Sequence, residues 1–291
     1  MKSGLLKTRK FWIKSTTALF LISTILVTVL ISTIYWKQDK VVQELINKFN
    51  NDFKAHVEIK ESHISPFENF PFISIDLEEL TLYENETNEN IHILTINDVY
   101  IGFNIWDILS GNMEIKSILL SNGSINIVQH KDGSFNITKA LTAKKEIENA
   151  KEEFHLNLKS INLKNIDINK LNESSGLYFD LLINEAKSNF KTINDDVQMF
   201  LDSKFIATYI DNGDTTFIHN KHLSVHTEID YVAKEEVLKI IPSQITLEGS
   251  VFNIQGTIDF ANDMFLDIIF KGEKENFDLL IAFAPPEIMS T

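Results

Sequence analysis

The sequence predicts a mainly β chain that opens with one apolar helix and continues as a long antiparallel sheet carrying two short helices. Three observations predict this. Ser15–Trp36 is an uncharged, mostly apolar run of 22 residues between Lys14 and Lys37. From Val57 onward, apolar residues recur at every second position as far as Phe283, the period of a half-buried strand. Only two other stretches, about 37–53 and 138–153, carry helical spacing or composition.

The apolar run comes first. At about 1.5 Å per residue, a helix of that length matches the ~30 Å hydrocarbon core of a bilayer. Lys2, Lys7, Arg9, Lys10 and Lys14 precede it with no acidic residue among them. That asymmetry predicts a cytoplasmic N-terminus and export of everything after Trp36. The run exceeds the ~7 to 15 apolar residues of a signal peptide, and Tyr35-Trp36 lacks a small-x-small cleavage pattern, so a retained anchor is expected.

Residues 37–291 hold 22 Lys and Arg against 41 Asp and Glu, a net charge of -19. Such a surface repels phosphates, which excludes nucleic acid and polybasic docking on anionic headgroups. No cysteine is present, so disulfides, thiolate metal sites and thiol nucleophiles are excluded. The aromatic content is 21 Phe against 6 Tyr and 3 Trp. Rings without a polar handle need a dry environment.

Val41, Val42, Leu45, Ile46, Phe49 and Phe53 recur at three-to-four-residue spacing and predict an amphipathic helix over 37–53. The alternation then runs through about twenty short strands, from Val57-x-Ile59 and Ile73-x-Ile75-x-Leu77 to Phe277-x-Leu279-x-Ile281-x-Phe283. Phase slips such as Leu77 to Leu80 predict bulges that twist a strand. Asn122-Gly123, Asn212-Gly213, Asp132-Gly133 and Ser110-Gly111 suit hairpin turns, so successive antiparallel strands are expected. Thr138–Glu153, rich in Ala, Lys and Glu and lacking Gly and Pro, reads as a helical connector between two strand-rich halves.

One segment repeats. Lys116-Ser117-Ile118-x-Leu120-x-Asn122-x-x-Ile125-Asn126 recurs 43 residues later as Lys159-Ser160-Ile161-x-Leu163-x-Asn165-x-x-Ile168-Asn169. A looser third copy is Ile245-x-Leu247-x-Gly249-x-x-Phe252-Asn253. Repeated strand units of this kind predict an extended, solenoid-like sheet.

No dinucleotide, Walker, nucleophile-elbow or His-Glu-x-x-His motif occurs in the chain. The doublets Glu78-Glu79, Asp195-Asp196 and Glu235-Glu236 point to opposite faces of a strand and cannot converge on one bond. His219-x-x-His222-x-x-x-His226 would share a face only on a helix. The flanking Leu223-x-Val225 alternation makes it a strand, with His222 and His226 exposed together. Asn85, Asn122, Asn136 and Asn172 head sequons, glycan acceptors only in a eukaryotic secretory route. No enzymatic activity, cofactor or metal is expected.

Four pieces in order carry a resemblance. Phe70-Pro71-Phe72-Ile73-Ser74-Ile75-Asp76-Leu77 follows the anchor and short helix. Leu94–Phe103 runs into Ile105-Trp106-Asp107-Ile108-Leu109-Ser110-Gly111. Ile115-Lys116-Ser117-Ile118 leads through Asn122-Gly123 to Ile125-Asn126-Ile127, and Asp132-Gly133-Ser134-Phe135-Asn136 closes the set. Over these residues the chain resembles the N-terminal module of the AsmA-like family of bacterial inner-membrane-anchored envelope proteins, related to bridge-like lipid transfer proteins.

The resemblance implies a long, curved β-sheet groove with an apolar concave side, an inner-membrane single-pass location with the bulk of the chain periplasmic, and a part in phospholipid transport and outer-membrane integrity. The implied partners are phospholipid acyl chains, the inner membrane and other envelope proteins. The residues agree independently, because two short helices cannot cap about twenty strands and an uncovered apolar face binds acyl chains or aggregates. Candidate groove-lining residues are Ile73, Ile75, Leu77, Val99, Ile101, Phe103, Ile105, Phe179, Leu181, Ile268 and Phe270. The rival expectation is an assembly factor for outer-membrane proteins that pairs client strands with exposed sheet edges.

The expected organisation is a basic tail at 1–14, an anchor at 15–36, a β module with its leading helix at 37–137, a connector at 138–153 and continuing β repeats at 154–291. Twenty strands at ~4.8 Å spacing give a sheet of about 95 Å at most. Together with the apolar strand just before Ala284-Pro285-Pro286, this length predicts a portion of a longer protein.

Overall fold

The computed structural model describes residues 32, 42–43, 46–47, 49–65, 68–69, 72–85, 92–104, 114–144, 158–193, 195–211, 214–215, 218–260, 265–273, 282 and 284. The expected anchor Ser15–Trp36 lies outside these residues except for Ser32, as do Ile105, the turns at Ser110-Gly111 and Asn212-Gly213, and most of the 138–153 connector. Among the described residues no helix is long and apolar enough to cross a membrane.

The described chain forms one open sheet of thirteen strands, ordered β1-β3-β4-β5-β6-β7-β8-β10-β11-β12-β13, with β2 beside β3 and β9 beside β8. The strands are β1 (His56–Glu58), β2 (Glu61–Ser65), β3 (Ile73–Tyr83), β4 (His92–Phe103), β5 (Ile115–Gln129), β6 (Ser160–Asn172), β7 (Tyr178–Ile193), β8 (Asp196–Asp211), β9 (Asp214–Thr215), β10 (Lys221–Val232), β11 (Val237–Leu247), β12 (Ser250–Asp259) and β13 (Phe265–Gly272). A short helix, α1 (Asn136–Ala140), follows β5, and residues 49–52 are helical in the expected leading helix. Backbone bonds from Lys54 N to Thr142 O (3.0 Å) and Ala55 N to Ala140 O (2.9 Å) tie that lead to the end of α1.

Among the described residues there are thirteen strands, and several of the expected twenty merge because single strands run through kinks that read as turns, while the expected strand Phe277–Phe283 lies outside the described residues except for Ala282. Asn122-Gly123 is not a hairpin. It lies inside the 15-residue β5, with Asn122 at φ 57°. Glu79 in β3 (φ 49°) and Asn165 in β6 (φ 52°) are bent the same way. Their neighbours along the ladders confirm one transverse line. Pairing passes from Glu78↔Asp98 to Leu80↔Ile96, from Ser121 to Gly123 on β5, and from Lys164 to Ile166 on β6, skipping Glu79, Asn97, Asn122 and Asn165. On β7 the line ends in a bulge between Ile183 and Glu185. Period-two alternation puts residues i and i+3 on opposite faces; one left-handed residue between them returns them to the same face. The slip from Leu77 to Leu80 is therefore a kink at Glu79.

The second departure concerns strand direction. β5 and β6 pair in parallel, with Ser117↔Ser160 through Gln129↔Asn172, every pair 43 residues apart. The 43-residue repeat is this pair laid side by side. Parallel neighbours need a crossover of a dozen or more residues, and residues 130–159 supply it. Side chains bond across the seam: Ser117 Oγ with Ser160 Oγ at 2.7 Å, Asn165 Nδ2 to Asn122 Oδ1 at 3.1 Å, Asn169 Nδ2 to Asn126 Oδ1 at 3.4 Å and Asn172 Nδ2 to Gln129 Oε1 at 2.9 Å. All other pairings are antiparallel. The looser third copy is a hairpin instead, since Glu248 (φ 48°) and Gly249 (φ 80°) turn β11 into β12.

Gly123 tests the kink. A Cβ there would lie 2.2 Å from Thr95 O and 2.7 Å from Ile96 Cα, both backbone atoms of β4. Gly133 (φ 82°) has nothing within 4 Å of its Cβ position. Gly123→Ala is expected to destabilise the chain by about 3 kcal/mol through overpacking, and Gly133→Ala by only about 1 kcal/mol through its backbone angle. Urea midpoints of the two variants check this; equal losses would show that β4 and β5 do not approach so closely.

Candidate functional site

The kink line gives the sheet one continuous apolar face. Below it, direct partners run Leu77↔Val99↔Leu120↔Leu163↔Ala186↔Ser203↔Val225↔Ile245↔Phe252. Above it, Leu80↔Ile96↔Gly123↔Ile166↔Ile183↔Phe205↔Leu223↔Leu247 continue the same face. The intervening residues, such as Asp98, Ser121, Lys164, Glu185 and Lys204, point to the other side and are polar.

The predicted lining residues that the structure describes fall on this face. Ile73↔Phe103, Ile75↔Ile101 and Leu77↔Val99 are direct cross-strand pairs. Phe179 and Leu181 lie on β7 above the kink line, and Ile268 and Phe270 lie on β13, far across the sheet. Ile105 is outside the described residues. The candidate lining residues did not include Ile96 and Ile166 (both 0% exposed), Ile183 and Ala186, although Ile166 and Ile183 stand in alternating runs; all four join Ile75, Leu77, Val99 and Phe103 in one cluster. The signal for Ile96 and Ile166 was the phase slip, which moves the face by one residue; Ile183 continues the phase of Phe179 and Leu181.

Cover on the face is uneven. Phe103 is 2% exposed, and Val42 and Ile46 from the leading helix pack into its cluster. Ile101, Leu120, Ile125, Leu163, Ile168, Leu201 and Phe205 remain only partly buried. At the far edge Ile268 is 41% and Phe270 45% exposed, although Phe270 stacks on Phe252 with ring centres 4.6 Å apart. Ala282 covers Leu247 and Phe252, and the buried Lys221, on the apolar face, donates from Nζ to Ala284 O at 2.7 Å. Among the described residues no second sheet lies over this face.

A sequence model of the AsmA family matches residues 7–272, a span that includes every strand of the sheet. The chain belongs to the AsmA family. No curated protein matches it significantly.

The pieces that resemble other AsmA proteins have structural work in this one. In the Asp132–Asn136 turn, Asp132 Oδ1 accepts from Ser134 N at 3.0 Å and from the Ser134 hydroxyl, while Gly133 takes a left-handed φ of 82°. Those contacts hold the Asp132 carboxyl down at about 2. Asn136 is fully buried: its Oδ1 accepts from Val128 N (3.0 Å) and Ile137 N (2.8 Å), and its Nδ2 donates to Asn126 O (2.8 Å). Its amide is therefore a bracket between β5 and α1, not an exposed glycan acceptor.

The histidine trio that the sequence singled out is split on the AsmA sheet. His222 and His226 lie on one face of β10, with side chains 71% and 85% exposed, beside Glu248 (3.3 Å) and Asp202 (3.7 Å). His219 lies before the strand. A cleft of about 860 Å³ opens on the polar face at the β10 and β11 bulges, lined by Phe200, His226, Gln244, Asn253 and Lys271 among others.

On β6 and β7 the carboxyls of Asp167 and Asp180 interact, and one oxygen of each is buried without a hydrogen-bond partner. Burial first, then the neighbouring Asp167, pushes the Asp180 carboxyl up from 3.8 to about 6. A folded pKa above the unfolded one means the fold holds the proton, so this contribution is complete below the ordinary value and is lost as pH rises to about 6. Asp180→Asn is expected to match the wild type near pH 4 and to exceed it in urea midpoint at pH 7. A gap of the opposite sign, or one independent of pH, would contradict the paired-carboxyl account.

Proposed function

We propose that this AsmA-family chain is an inner-membrane-anchored, periplasmic protein whose apolar sheet face carries phospholipid acyl chains and so serves phospholipid transport and envelope integrity. The observation that carries the reading is the single-layered apolar face, lined by large Ile, Leu and Phe side chains left partly exposed from β5 to β13. In a two-layer domain those side chains would be covered by a second element. Family membership supports the same reading, and the basic residues before Ser15 support the orientation.

The mechanism is passive. Each methylene laid on the face instead of in water gains about 0.8 kcal/mol, while the headgroup stays solvated. The acidic exported surface disfavours trapping phosphates along the way. No covalent step, cofactor or metal takes part in this carriage, and its partners are acyl chains, the inner membrane and envelope proteins at either end.

The β13 edge favours a second reading. Phe265, Leu266, Ile268, Ile269 and Phe270 are 41% to 64% exposed on a strand whose outer edge has no described neighbour. Such an edge can template a client strand, which fits an assembly factor for outer-membrane proteins.

Photo-crosslinking separates the two. Phe205 and Lys204 are consecutive on β8, the first on the apolar face and the second exposed on the polar face. A photoreactive residue at 205 in the full-length protein in cells is expected to capture phospholipid several-fold more than one at 204. Equal labelling would overturn the lipid reading, and a β-barrel precursor captured at 269 without lipid at 205 would establish the second.

A further inference from the structure

On the polar face, at the β2–β3 edge, three metal-competent side chains converge that carriage of lipid does not use. Asp76 and Glu78 are two residues apart on β3 and share a face. His63 on β2 is the direct cross-strand partner of Asp76. His63 Nε2 lies 3.2 Å from Asp76 Oδ2, and His63 Nδ1 lies 3.1 Å from Glu78 Oε1. One donor atom from each of the three lies within 4.8 Å of the other two.

Asp76 is the unusual member. It is 2% exposed, yet its Oδ1 is buried without a hydrogen-bond partner. A buried carboxylate oxygen left unsatisfied is strongly unfavourable. The cluster thus places one orphaned buried carboxylate oxygen beside a second carboxylate and an imidazole.

The geometry points to a divalent-cation site formed by His63, Asp76 and Glu78. One imidazole nitrogen with two carboxylate oxygens suits a borderline ion such as Zn²⁺, which takes three protein ligands and completes its shell with water. Ca²⁺, which needs six to eight oxygens, is poorly matched. The placement gives the ion a structural role. β2 is a five-residue edge strand paired only with β3, and a cation bridging the two would fasten the sheet edge where the leading segment enters it.

The test uses the full-length protein purified in detergent, stripped with chelator and titrated with ZnCl₂ by calorimetry, with thermal unfolding in parallel. Wild type is expected to bind one Zn²⁺ and to gain thermal stability on saturation. Asp76→Asn and His63→Gln are expected to lose at least tenfold in affinity and most of the thermal gain. His222→Ala, at the exposed histidine pair, is expected to behave as wild type. Should Asp76→Asn not fold, His63→Gln alone decides. Absence of wild-type binding, affinity unchanged in His63→Gln, or a loss confined to His222→Ala would each overturn the site.

Discussion

Three left-handed residues, Glu79, Asn122 and Asn165, hold the sheet to a single apolar face. Each strand of the first half is long enough to cross the kink line, so without the inversion Leu80, Ile125 and Ile166 would turn away from Leu77, Leu120 and Leu163. A one-residue phase error moves a whole set of side chains to the wrong side. Asn tolerates this conformation better than most residues because its short amide bonds locally, and Asn122 does so with Nδ2 to Ser121 Oγ at 3.1 Å. Glu79, with no such habit, bonds Lys60 at 2.5 Å on the exposed side. The strain of three unfavourable backbone angles is offset by the burial that correct phasing permits.

The parallel seam depends on the same line. Asn122 and Asn165 lie opposite each other across β5 and β6, and their side-chain bond is one of four such contacts between residues 43 apart. Slipping β6 by one residue against β5 would break all four while sending Ile161 and Leu163 to the polar side. Hydrogen bonds of this kind contribute modestly to stability but strongly to choosing one register. Two strand-rich halves thereby become one sheet.

Period two was legible from end to end, and with it the strands, their apolar side and the phase slips. Strand ends were not, because Asn-Gly serves a hairpin turn and an in-strand kink equally well at the level of two residues; only the neighbour's approach, which leaves a Cβ at Gly123 just 2.2 Å from Thr95 O, separates them. The 43-residue repeat was visible, but a repeat is silent about whether its copies pair and in which direction. The AsmA resemblance rested on short motifs, and the structure gives Asn136 its reason as a buried bracket. The convergence of His63, Asp76 and Glu78 carried no sequence signal: Glu78 stood out only as half of the Glu78-Glu79 doublet, and only cross-strand register brings the histidine, 13 positions earlier, to the first carboxylate.

The uneven cover of the apolar face separates its packed first strands from the open β13 edge. Near β3 and β4 the leading helix contributes Val42 and Ile46 to the cluster, and Ile75, Leu77 and Phe103 are at most 5% exposed. That end is already satisfied by protein. On β13 the exposure reaches 45% at Phe270 and 57% at Leu266, beyond Leu247 and Phe252, which Ala282 covers, so the gain available from adding apolar contacts is largest on that strand. An acyl chain placed on this face therefore has least to gain beside the leading helix and most beside β13. The same asymmetry distinguishes stability from binding: changes at Phe103 act on the packed end, whereas changes at Phe205 or Phe270 act where the face is still open to a ligand.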